Sequence, residues 1–345
     1  MFSPKYTITD NLLANIKRVN TLVNELNNRR FPTVVLLELE RTAREVSTYA
    51  STSIEGNPLP LTEVKKILKS KPAHIRESEK EVLNYNKALQ DLNERLKEGK
   101  VRLSLELILK IQKQVTVGLL PTFESGHLRE KPIMVNDPRT GQVKFLPPDV
   151  KDVKSLIEDL INFINSKGDK IDPLILAGIF HKQMVLIHPF TDGNGRTTRL
   201  ATKVLLAQMS LNTFNLFSFE NYYNQNVSRY FQMVGEFGNY YDLVSLGIDF
   251  TPWLEYFTEG IIDELLRVQK LLPQLATSPQ TQLLPHHFKI LDFIREKGFI
   301  TDKDYSQLTD RAKATRAIDF QKLIGLGSIE RKGKGRATFY ILKDK

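Results

Sequence analysis

The sequence contains no cysteine among its 345 residues. Disulfide bonds, thiolate metal sites and cysteine nucleophiles are therefore excluded. It also has no apolar run that approaches the roughly 18 residues of a membrane-spanning helix. Residues 1–18 lack the apolar stretch that is typical of a signal peptide. Together these absences predict a cytoplasmic protein with no membrane partner.

Acidic residues are the minority, with 40 Asp and Glu against 49 Lys and Arg, which gives a net charge of +9. Much of the excess lies in residues 285–345, which hold 14 basic and 8 acidic residues, a net charge of +6. A basic balance favours a polyanionic partner such as a nucleotide or nucleic acid, although charge alone says little about function. The length allows two or three domains.

Apolar spacing predicts a mainly helical protein. The predicted helices cover residues 11–26, 34–54, 61–70, 78–97, 103–117, 152–165, 173–186 and 196–209. Two short extended runs, 132–135 and 142–146, enclose the turn residues 137–141 and predict a β-hairpin.

A domain boundary is predicted in residues 271–285, which are rich in Pro, Ser, Thr and Gln. Three further helices are predicted at 288–297, 302–308 and 313–325, and two strands around Gly-Lys-Gly follow them. This order resembles a winged helix-turn-helix domain.

One loop, HPFTDGNGRTTR at residues 188–199, lies between two predicted helices. Its neighbours have helical periodicity, so its Asp-Gly-Asn-Gly is not a hairpin turn. The glycine-rich stretch can present backbone N–H groups to an anion, and the next helix adds its N-terminal dipole. Arg196 and Arg199 share one face of that helix's first turn, where positive charge opposes the dipole. The pattern predicts a site for several phosphates.

The remaining polar residues of the loop indicate chemistry at those phosphates. Asp192 would repel them unless a cation intervenes, and Mg²⁺ commonly bridges a carboxylate and phosphates. His188 can accept a proton from an attacking hydroxyl. The interpretation is a Mg²⁺-dependent transfer from a nucleoside triphosphate. Taken singly, each feature has a structural alternative: a turn, a solvated arginine pair, or a histidine such as His181 packed in its helix. A zinc site at His181 and His188 is less favoured because HExxH is absent.

Residues 188–199 resemble the Fic-family motif HPFx(D/E)GNGRxxR at every fixed position. Residues 126–148 resemble the β-hairpin that is known in this family as the flap. Tyr240-Tyr241 and residues 252–257 are similar to the closing helices of a Fic core. The resemblance implies a Fic-fold helical core that transfers AMP from ATP to a Ser, Thr or Tyr hydroxyl of a protein and releases pyrophosphate.

The resemblance also implies a role for each residue of the motif. His188 would deprotonate the target hydroxyl, and Asp192 would hold Mg²⁺ between the α- and β-phosphates. Arg199 would bind the γ-phosphate bidentately through its guanidinium. The phosphate oxygens would be cradled by Gly193, Asn194 and Gly195, with help from Arg196.

Outside the motif, the flap and one tyrosine would complete the nucleotide site. The backbone of Ile133, Met134, Val135 and Asn136 would line the pocket, and Tyr240 would flank the base. The hairpin 129–148 would dock an extended segment of a target protein by strand addition. The protein itself is also a candidate target, and a homodimer is implied as a possible assembly.

Residues 51–56, STSIEG, resemble the family's inhibitory motif (S/T)xxxE(G/N), in which Ser51, Glu55 and Gly56 are the fixed positions. The carboxylate of Glu55 would bind Arg199 bidentately, at the position that the γ-phosphate needs. Glutamate at a helix C-terminus is unfavourable for the dipole, which suggests a partner. The alternatives are a solvated glutamate at a helix end, or a glutamate that helps water remove AMP from a modified protein.

These features imply three regions: an N-terminal helical region, 1–100, with an inhibitory helix at 34–56; a Fic core, 101–270; and a winged-helix domain, 280–345. Basic residues of the last region could contact DNA phosphates, although winged helices also serve as docking or dimer modules. The rival hypothesis is a DNA-binding regulator whose Fic core senses nucleotide. An intact His188 argues against it, since a sensor needs no general base.

Overall fold

The computed structural model describes residues 2–28, 33–70, 74–99, 101–136, 142–168, 170–207, 218–276 and 283–343. Fifteen α-helices lie in these ranges. They are α1 (Asp10–Asn28), α2 (Thr33–Ile54), α3 (Leu61–Lys69), α4 (Glu77–Lys97), α5 (Leu105–Thr116), α6 (Val150–Lys167), α7 (Pro173–Ile187), α8 (Asn194–Ala207), α9 (Phe219–Gln225), α10 (Val227–Val234), α11 (Tyr240–Leu246), α12 (Thr251–Ala276), α13 (Pro285–Lys297), α14 (Asp302–Leu308) and α15 (Lys313–Gly325).

Five short strands accompany these helices: β1 (Val135–Asn136), β2 (Val143–Leu146), β3 (Gly238–Asn239), β4 (Ile329–Lys332) and β5 (Phe339–Leu342). The first three form one sheet in the order β1-β2-β3, with β1 antiparallel and β3 parallel to β2. The other two form an antiparallel pair. The predicted mainly helical class is confirmed.

The predicted hairpin is present, but its first strand is shorter and lies later than expected. Residues 132–134 were expected in the strand, yet regular pairing covers only Val135–Asn136, and its register shifts between those two residues. Pro132 has no N–H to donate to a ladder, which disfavours a strand at that point. The predicted turn 137–141 lies outside the described residues, as do the last two residues of the helix predicted to end at 209.

Helix α7 is the centre of the helical core. Its sequence PLILAGIFHKQMVLI is apolar on all sides and almost completely buried, as expected for a helix surrounded by others. Helix α8 packs along it, and α12 approaches it closely at Gly178, where a Cβ would overlap Leu254. The Trp253 indole N–H donates to the Gly178 carbonyl at 2.8 Å. These contacts fix both helices that flank the loop 188–193.

The chain divides into two compact units: residues 1–28 with 43–267, and residues 29–42 with 268–345. The first unit extends across the boundary predicted near residue 100. The predicted linker 271–285 is helical as far as residue 276, because α12 ends at Ala276, and residues 277–282 lie outside the described part. Apolar residues at helical spacing therefore continue the helix into a stretch whose Pro and Gln suggested a linker.

The second unit contains α13, α14, α15 and the β4–β5 pair, the elements predicted for this region. Its core is a buried apolar cluster, with the Tyr340 ring stacked on Phe320 at a centroid distance of 4.0 Å. Backbone bonds between Ile300 and Tyr340 add a third extended segment beside β5. Within the described residues, no helix is long and apolar enough to cross a membrane.

Candidate active site

The loop between α7 and α8 begins at a strained residue. His188 caps α7 with φ 48° and ψ 63°, and it is the one non-glycine residue with positive φ in the described part of the chain. This left-handed conformation costs about 1–2 kcal/mol for a residue with a Cβ. Such strain persists where the surrounding structure fixes it, and it is frequent at functional sites.

The His188 ring is oriented by the end of its own helix. Nδ1 lies 3.3 Å from the Val185 carbonyl oxygen. Since a carbonyl can only accept, Nδ1 carries the proton and the lone pair of the neutral ring is on Nε2. Burial lowers the pKa of His188 below its ordinary value, although Val185 and Glu55 act in the opposite direction. The ring is therefore neutral at neutral pH, with Nε2 available as a base.

The rest of the loop is fixed by Asn194. Its side-chain oxygen accepts from the Phe190 N–H at 2.9 Å, and its amide donates to the Phe190 carbonyl at 2.8 Å. The Phe190 ring is fully buried and anchors the loop in the core. The side chain of Asn194 is therefore structural, and only its backbone N–H can contribute to a phosphate cradle.

Helix α8 begins immediately after a left-handed glycine. Gly193 has φ 79°, and its carbonyl accepts the first helical bond, from Thr197. The first N–H groups of a helix have no partner within it, so those of Asn194 and Gly195 point out of the helix start. The sequence-predicted cradle thus has the backbone arrangement that anion binding at a helix N-terminus requires.

Arg199 lies one turn further along α8 and is completely buried. Its Nε donates to Ser51 Oγ at 2.7 Å, and its Nη2 donates to the Ser51 carbonyl at 2.8 Å and to Glu55 Oε1 at 2.7 Å. Among the described residues, Nη1 has no hydrogen-bond acceptor. Burial by itself would lower the Arg199 pKa, but Glu55 raises it above the ordinary value.

Glu55 pairs with Arg199 as predicted, but the pairing is through one oxygen and is not bidentate. Glu55 meets Arg199 through Oε1 alone, because Ser51 occupies Nε and shares Nη2. The same oxygen lies over the start of α8, where a Cβ at Gly195 would overlap it. Glu55 therefore covers the helix N-terminus as well as the arginine. Gly56 follows with φ 94° and ends the helix in the manner of a C-terminal glycine.

Arg196 is buried between two carboxylates. Its Nη1 lies 2.7 Å from Glu81 Oε1 of α4, and its Nη2 donates to Asp192 Oδ2 at 2.8 Å. The Asp192 side chain remains 51% exposed, and its other oxygen accepts from the Gly193 N–H at 2.6 Å. Burial raises the pKa of Glu81 above its ordinary value, although Arg196 and Asn57 favour the carboxylate.

Asp192 fits the requirements of Mg²⁺ as far as protein ligands go. Mg²⁺ in nucleotide sites usually takes one or two carboxylates and completes its shell with phosphate and water oxygens. Asp192 offers a half-exposed carboxylate beside the helix start. The unpartnered Nη1 of Arg199 is likewise suited to an anionic oxygen.

The flap is tied to the loop by Arg129, which is 4% exposed. Its backbone N–H donates to the Pro189 carbonyl, and its Nε donates to the His188 carbonyl at 2.9 Å. Its remaining nitrogens donate to the carbonyls of Lys131 and Pro148, at the two ends of the hairpin. One side chain thus joins the strained histidine to both ends of the hairpin segment 129–148.

The predicted flap and base residues lie as follows. Met134 and Asn136 are exposed, and Ile133 is partly exposed. Val135 packs into a cluster with Phe145 and Tyr240. The Tyr240 ring is 4% exposed, and its hydroxyl accepts from Gln183 Nε2 at 3.0 Å. So little exposed ring is poorly suited to stacking on a base, and in this structure Tyr240 supports the underside of the hairpin.

Sequence reasoning assigned no role to four residues that hold the site together: Glu81, Asn57, Arg129 and Gln112. Gln112 donates to the Asp192 carbonyl at 3.1 Å and accepts from the Gly126 N–H. Glu81 lies in a helix with many charged residues, and no local sequence pattern distinguishes it from the others. Arg129 could have been suspected, because a single arginine follows the glycine that opens the flap.

Elsewhere in the described residues, His181, His286 and His287 are engaged in hydrogen bonds or ion pairs. His181 is buried and hydrogen-bonded to Thr202 and Tyr230, which confirms its prediction as a packed helix residue. Within the described ranges one group has metal-like donors, His286, His287 and Asp319. Arg311 already occupies both oxygens of Asp319 at 2.8 and 3.0 Å. His287 Nδ1 accepts from the Leu284 N–H, which leaves the proton on Nε2. This group is a structural hydrogen-bond centre.

Part of the chain, including the loop, matches a described protein family. Residues 102–206 match the model of the Fic/DOC family. The chain is 30% identical over 196 residues to protein adenylyltransferase fic-1 of Caenorhabditis elegans, which is 55% of this chain and 37% of that protein. The chain therefore spans well under half the length of this curated relative.

Solved structures share the fold. A Fic family protein from Desulfovibrio desulfuricans G20 superposes with a TM-score of 0.65 at 20% identity, covering 100% of this chain and 99% of that one. Residues 134–508 of Fic-1 from C. elegans superpose with a TM-score of 0.60 at 24% identity, covering 76% of this chain and 73% of that one. The helical architecture described above is thus that of Fic structures.

Proposed function

We propose that this protein is an autoinhibited adenylyltransferase that transfers AMP from ATP to a Ser, Thr or Tyr hydroxyl of a target protein, of itself, or of both. The observation that carries the proposal is the segment 188–199, which combines a neutral histidine, a half-exposed carboxylate and a helix N-terminus whose cover is the Glu55 carboxylate. The match to the Fic/DOC family model and the adenylyltransferase name of the relative support the reaction class.

In the proposed reaction the target hydroxyl oxygen attacks the α-phosphorus of ATP. A bond forms between that oxygen and phosphorus, and the bond to the bridging oxygen of the β-phosphate breaks, so that pyrophosphate leaves. His188 Nε2 accepts the hydroxyl proton as the bond forms. The helix start at Gly193–Gly195 stabilises the negative charge on the phosphate oxygens.

Asp192 would hold Mg²⁺, which neutralises phosphate charge and helps the pyrophosphate leave. Arg199 would bind the γ-phosphate, using Nη1 together with the nitrogen that Glu55 now engages. Arg129 keeps the His188 backbone in place while the flap holds the target. Each of these residues positions or binds a group without becoming covalently modified.

Glu55 would inhibit the reaction by occupying Arg199 and the space over Gly195. ATP must displace that carboxylate before its γ-phosphate can reach the arginine. A preference of about 3 kcal/mol for the inhibited state would leave roughly one per cent of the molecules active. Ser51 belongs to the same device, because it holds Arg199 through two further bonds.

Removal of AMP is a second candidate for the same site. Glu55 engages Arg199 through one oxygen only, and its side chain remains 28% exposed. Such a carboxylate could orient a water molecule toward an AMP-modified hydroxyl. Incubating AMP-modified protein with wild type and with Glu55→Gly would separate the activities, since only wild type should release AMP.

The hairpin 129–148 is the proposed docking site for the target. Its outer strand β1 has β2 on one side only, so its other edge is free for an added strand among the described elements. Met134, which precedes β1 and is 61% exposed, and Val143, which lies on β2 and is 49% exposed, provide exposed apolar side chains on the hairpin. Substituting both by Ser should weaken modification of a target without changing nucleotide binding.

The second unit is proposed to be a winged-helix module, in which α15 would be the recognition helix. Two arginines near the start of this helix are already paired with carboxylates, which reduces the positive charge available to a DNA phosphate. Arg311 pairs with Asp319, and Arg316 forms two bonds to Asp302, both at 2.9 Å. A nucleotide-sensing DNA regulator stays a prediction, and a salt-sensitive gel shift by the full chain would test it.

The function is tested by transfer of labelled nucleotide. The Glu55→Gly variant is incubated with Mg²⁺ and ATP labelled at either the α- or the γ-phosphate. Label from the α position should remain on protein, the intact mass should rise by one AMP, and pyrophosphate should appear. Retention of γ-label instead would identify a kinase-like reaction and refute the proposal.

A further inference from the structure

Glu81 connects the arginine of the loop to the segment that follows the inhibitory helix. One carboxylate oxygen lies 2.7 Å from Arg196 Nη1, and the other accepts from the Asn57 side-chain amide at 2.6 Å. Asn57 is only 9% exposed and also donates to the Ser78 carbonyl at 2.9 Å. Glu81 is therefore held from both sides in a partly buried position.

The charges in the site show why this carboxylate matters. Two buried guanidiniums, Arg196 and Arg199, face three carboxylates, Glu55, Glu81 and Asp192. In the proposed reaction the γ-phosphate must displace Glu55 from Arg199. Asp192 must bind the divalent cation in place of Arg196. Glu81 is then the one carboxylate among these three that can stay with Arg196.

Arg196 cannot remain without a partner, because it is 4% exposed and a buried charge that loses its partner is strongly destabilised. If Glu81 did not engage it, the carboxylate left beside it would be Asp192, four residues earlier in the loop that precedes α8. Arg196 and a divalent cation would then compete for one carboxylate.

We propose that Glu81 is a positioning residue that holds Arg196, so that Asp192 is free to bind the divalent cation when nucleotide enters. The inference rests on the proposed function, since it assigns the cation and the nucleotide to this loop. Nothing in the local sequence of α4 marks the residue. The geometry also links it, through Asn57, to the chain two residues after Glu55.

The test measures binding, so it does not depend on turnover. The parent is the full chain with Glu55→Gly and His188→Ala, which removes the inhibitory carboxylate and the base. Glu81→Gln is compared in that background with Glu77→Gln, a matched control on an exposed position of the same helix. Affinity for a non-hydrolysable ATP analogue is measured by calorimetry with Mg²⁺ and with EDTA, and Mn²⁺ binding is followed by electron paramagnetic resonance.

Glu81→Gln should weaken binding of the analogue in Mg²⁺ about tenfold, the effect expected from one charge-assisted contact. The same variant should weaken Mn²⁺ binding and leave affinity in EDTA within about twofold of the parent. Glu77→Gln should match the parent in every condition. The conservative Glu81→Asp, which keeps the charge, should restore part of the affinity in Mg²⁺.

Two results would overturn the inference while leaving the proposed function intact. One is an unchanged metal dependence in Glu81→Gln, and the other is an equal loss of affinity in Mg²⁺ and EDTA, which would indicate a merely structural role. A parent that binds no nucleotide under any condition would refute the proposed function itself, and the inference with it. The three outcomes are distinguishable in one set of titrations.

Discussion

Neutralising Glu55 should destabilise the free protein and make it more responsive to nucleotide. Glu55→Gln keeps the shape of the side chain but removes the charge that lies 2.7 Å from the fully buried Arg199. Among the described residues, the guanidinium then has no carboxylate in ion-pair contact until a phosphate arrives. This change therefore tests whether inhibition and binding compete for the same arginine.

The magnitude follows from the burial of the two partners. Breaking a fully buried ion pair by removing one partner costs about 3–5 kcal/mol. The Glu55 side chain is 28% exposed, and Arg199 keeps its bonds to Ser51, so a loss of about 2 kcal/mol is expected. For a unit of this size, that loss corresponds to a fall in melting temperature of roughly 4–8 °C.

Thermal melting with and without the non-hydrolysable ATP analogue and Mg²⁺ is the assay. At about 100 times its dissociation constant, a ligand adds about 2.7 kcal/mol. Glu55→Gln should gain most of this, whereas wild type should gain less because nucleotide must first displace Glu55. Glu63→Gln is the control, since Glu63 forms an exposed pair with Lys66 that should contribute under about 1 kcal/mol.

A Glu55→Gln variant that melts at the wild-type temperature and responds to nucleotide no more than wild type does would contradict this prediction. Such a result would mean that Arg199 does not depend on Glu55 for compensation. It would also remove the physical basis for the proposed inhibition.

Further predictions concern the base, the glycine and the serine. In a Glu55→Gly background, His188→Ala should lower the transfer rate at least about a hundredfold while calorimetry shows retained nucleotide binding. Because burial lowers the pKa of His188, transfer should fall only when the pH drops below about 6.5, and a pH–rate profile with its acid limb above that value would contradict this. Gly195→Ala, whose Cβ would overlap the Glu55 carboxylate, should destabilise wild type more than it destabilises Glu55→Gly in a thermal double-mutant cycle. Ser51→Ala should raise AMP transfer, but less than Glu55→Gly does, since it loosens Arg199 without removing the carboxylate; equal or greater activation would contradict this order.

Helices were predictable from the sequence wherever one periodic face had to be buried, as in α1, α4 and α6. The end of α12 was not predictable. Pro273 and the glutamines near it suggest a linker, whereas apolar residues at helical spacing continue the helix to Ala276. The first strand of the flap was placed too early, since short strands depend on pairing partners that are distant in sequence. Local patterns do not contain that information.

The candidate site was predictable where it is contiguous. Residues 188–199 are contiguous in the sequence, in the loop before α8 and its first turns, so their spacing alone indicates an anion site next to a base. Glu81 and Asn57 reach the loop from α4 and from the end of α2, and only the packing of these helices brings them together. The buried position of Tyr240 likewise depends on the sheet beside it, and no local sequence pattern predicts that burial.

Autoinhibited adenylyl transfer is tested by comparing three proteins at equal concentration with α-labelled ATP and Mg²⁺: wild type, Glu55→Gly, and Glu55→Gly with His188→Ala. We expect strong labelling of protein by Glu55→Gly, little by wild type, and none by the double variant. Equal labelling by wild type and Glu55→Gly would contradict inhibition through Arg199. Undiminished labelling by the double variant would contradict His188 as the base, and no labelling by any of the three would contradict adenylyl transfer itself.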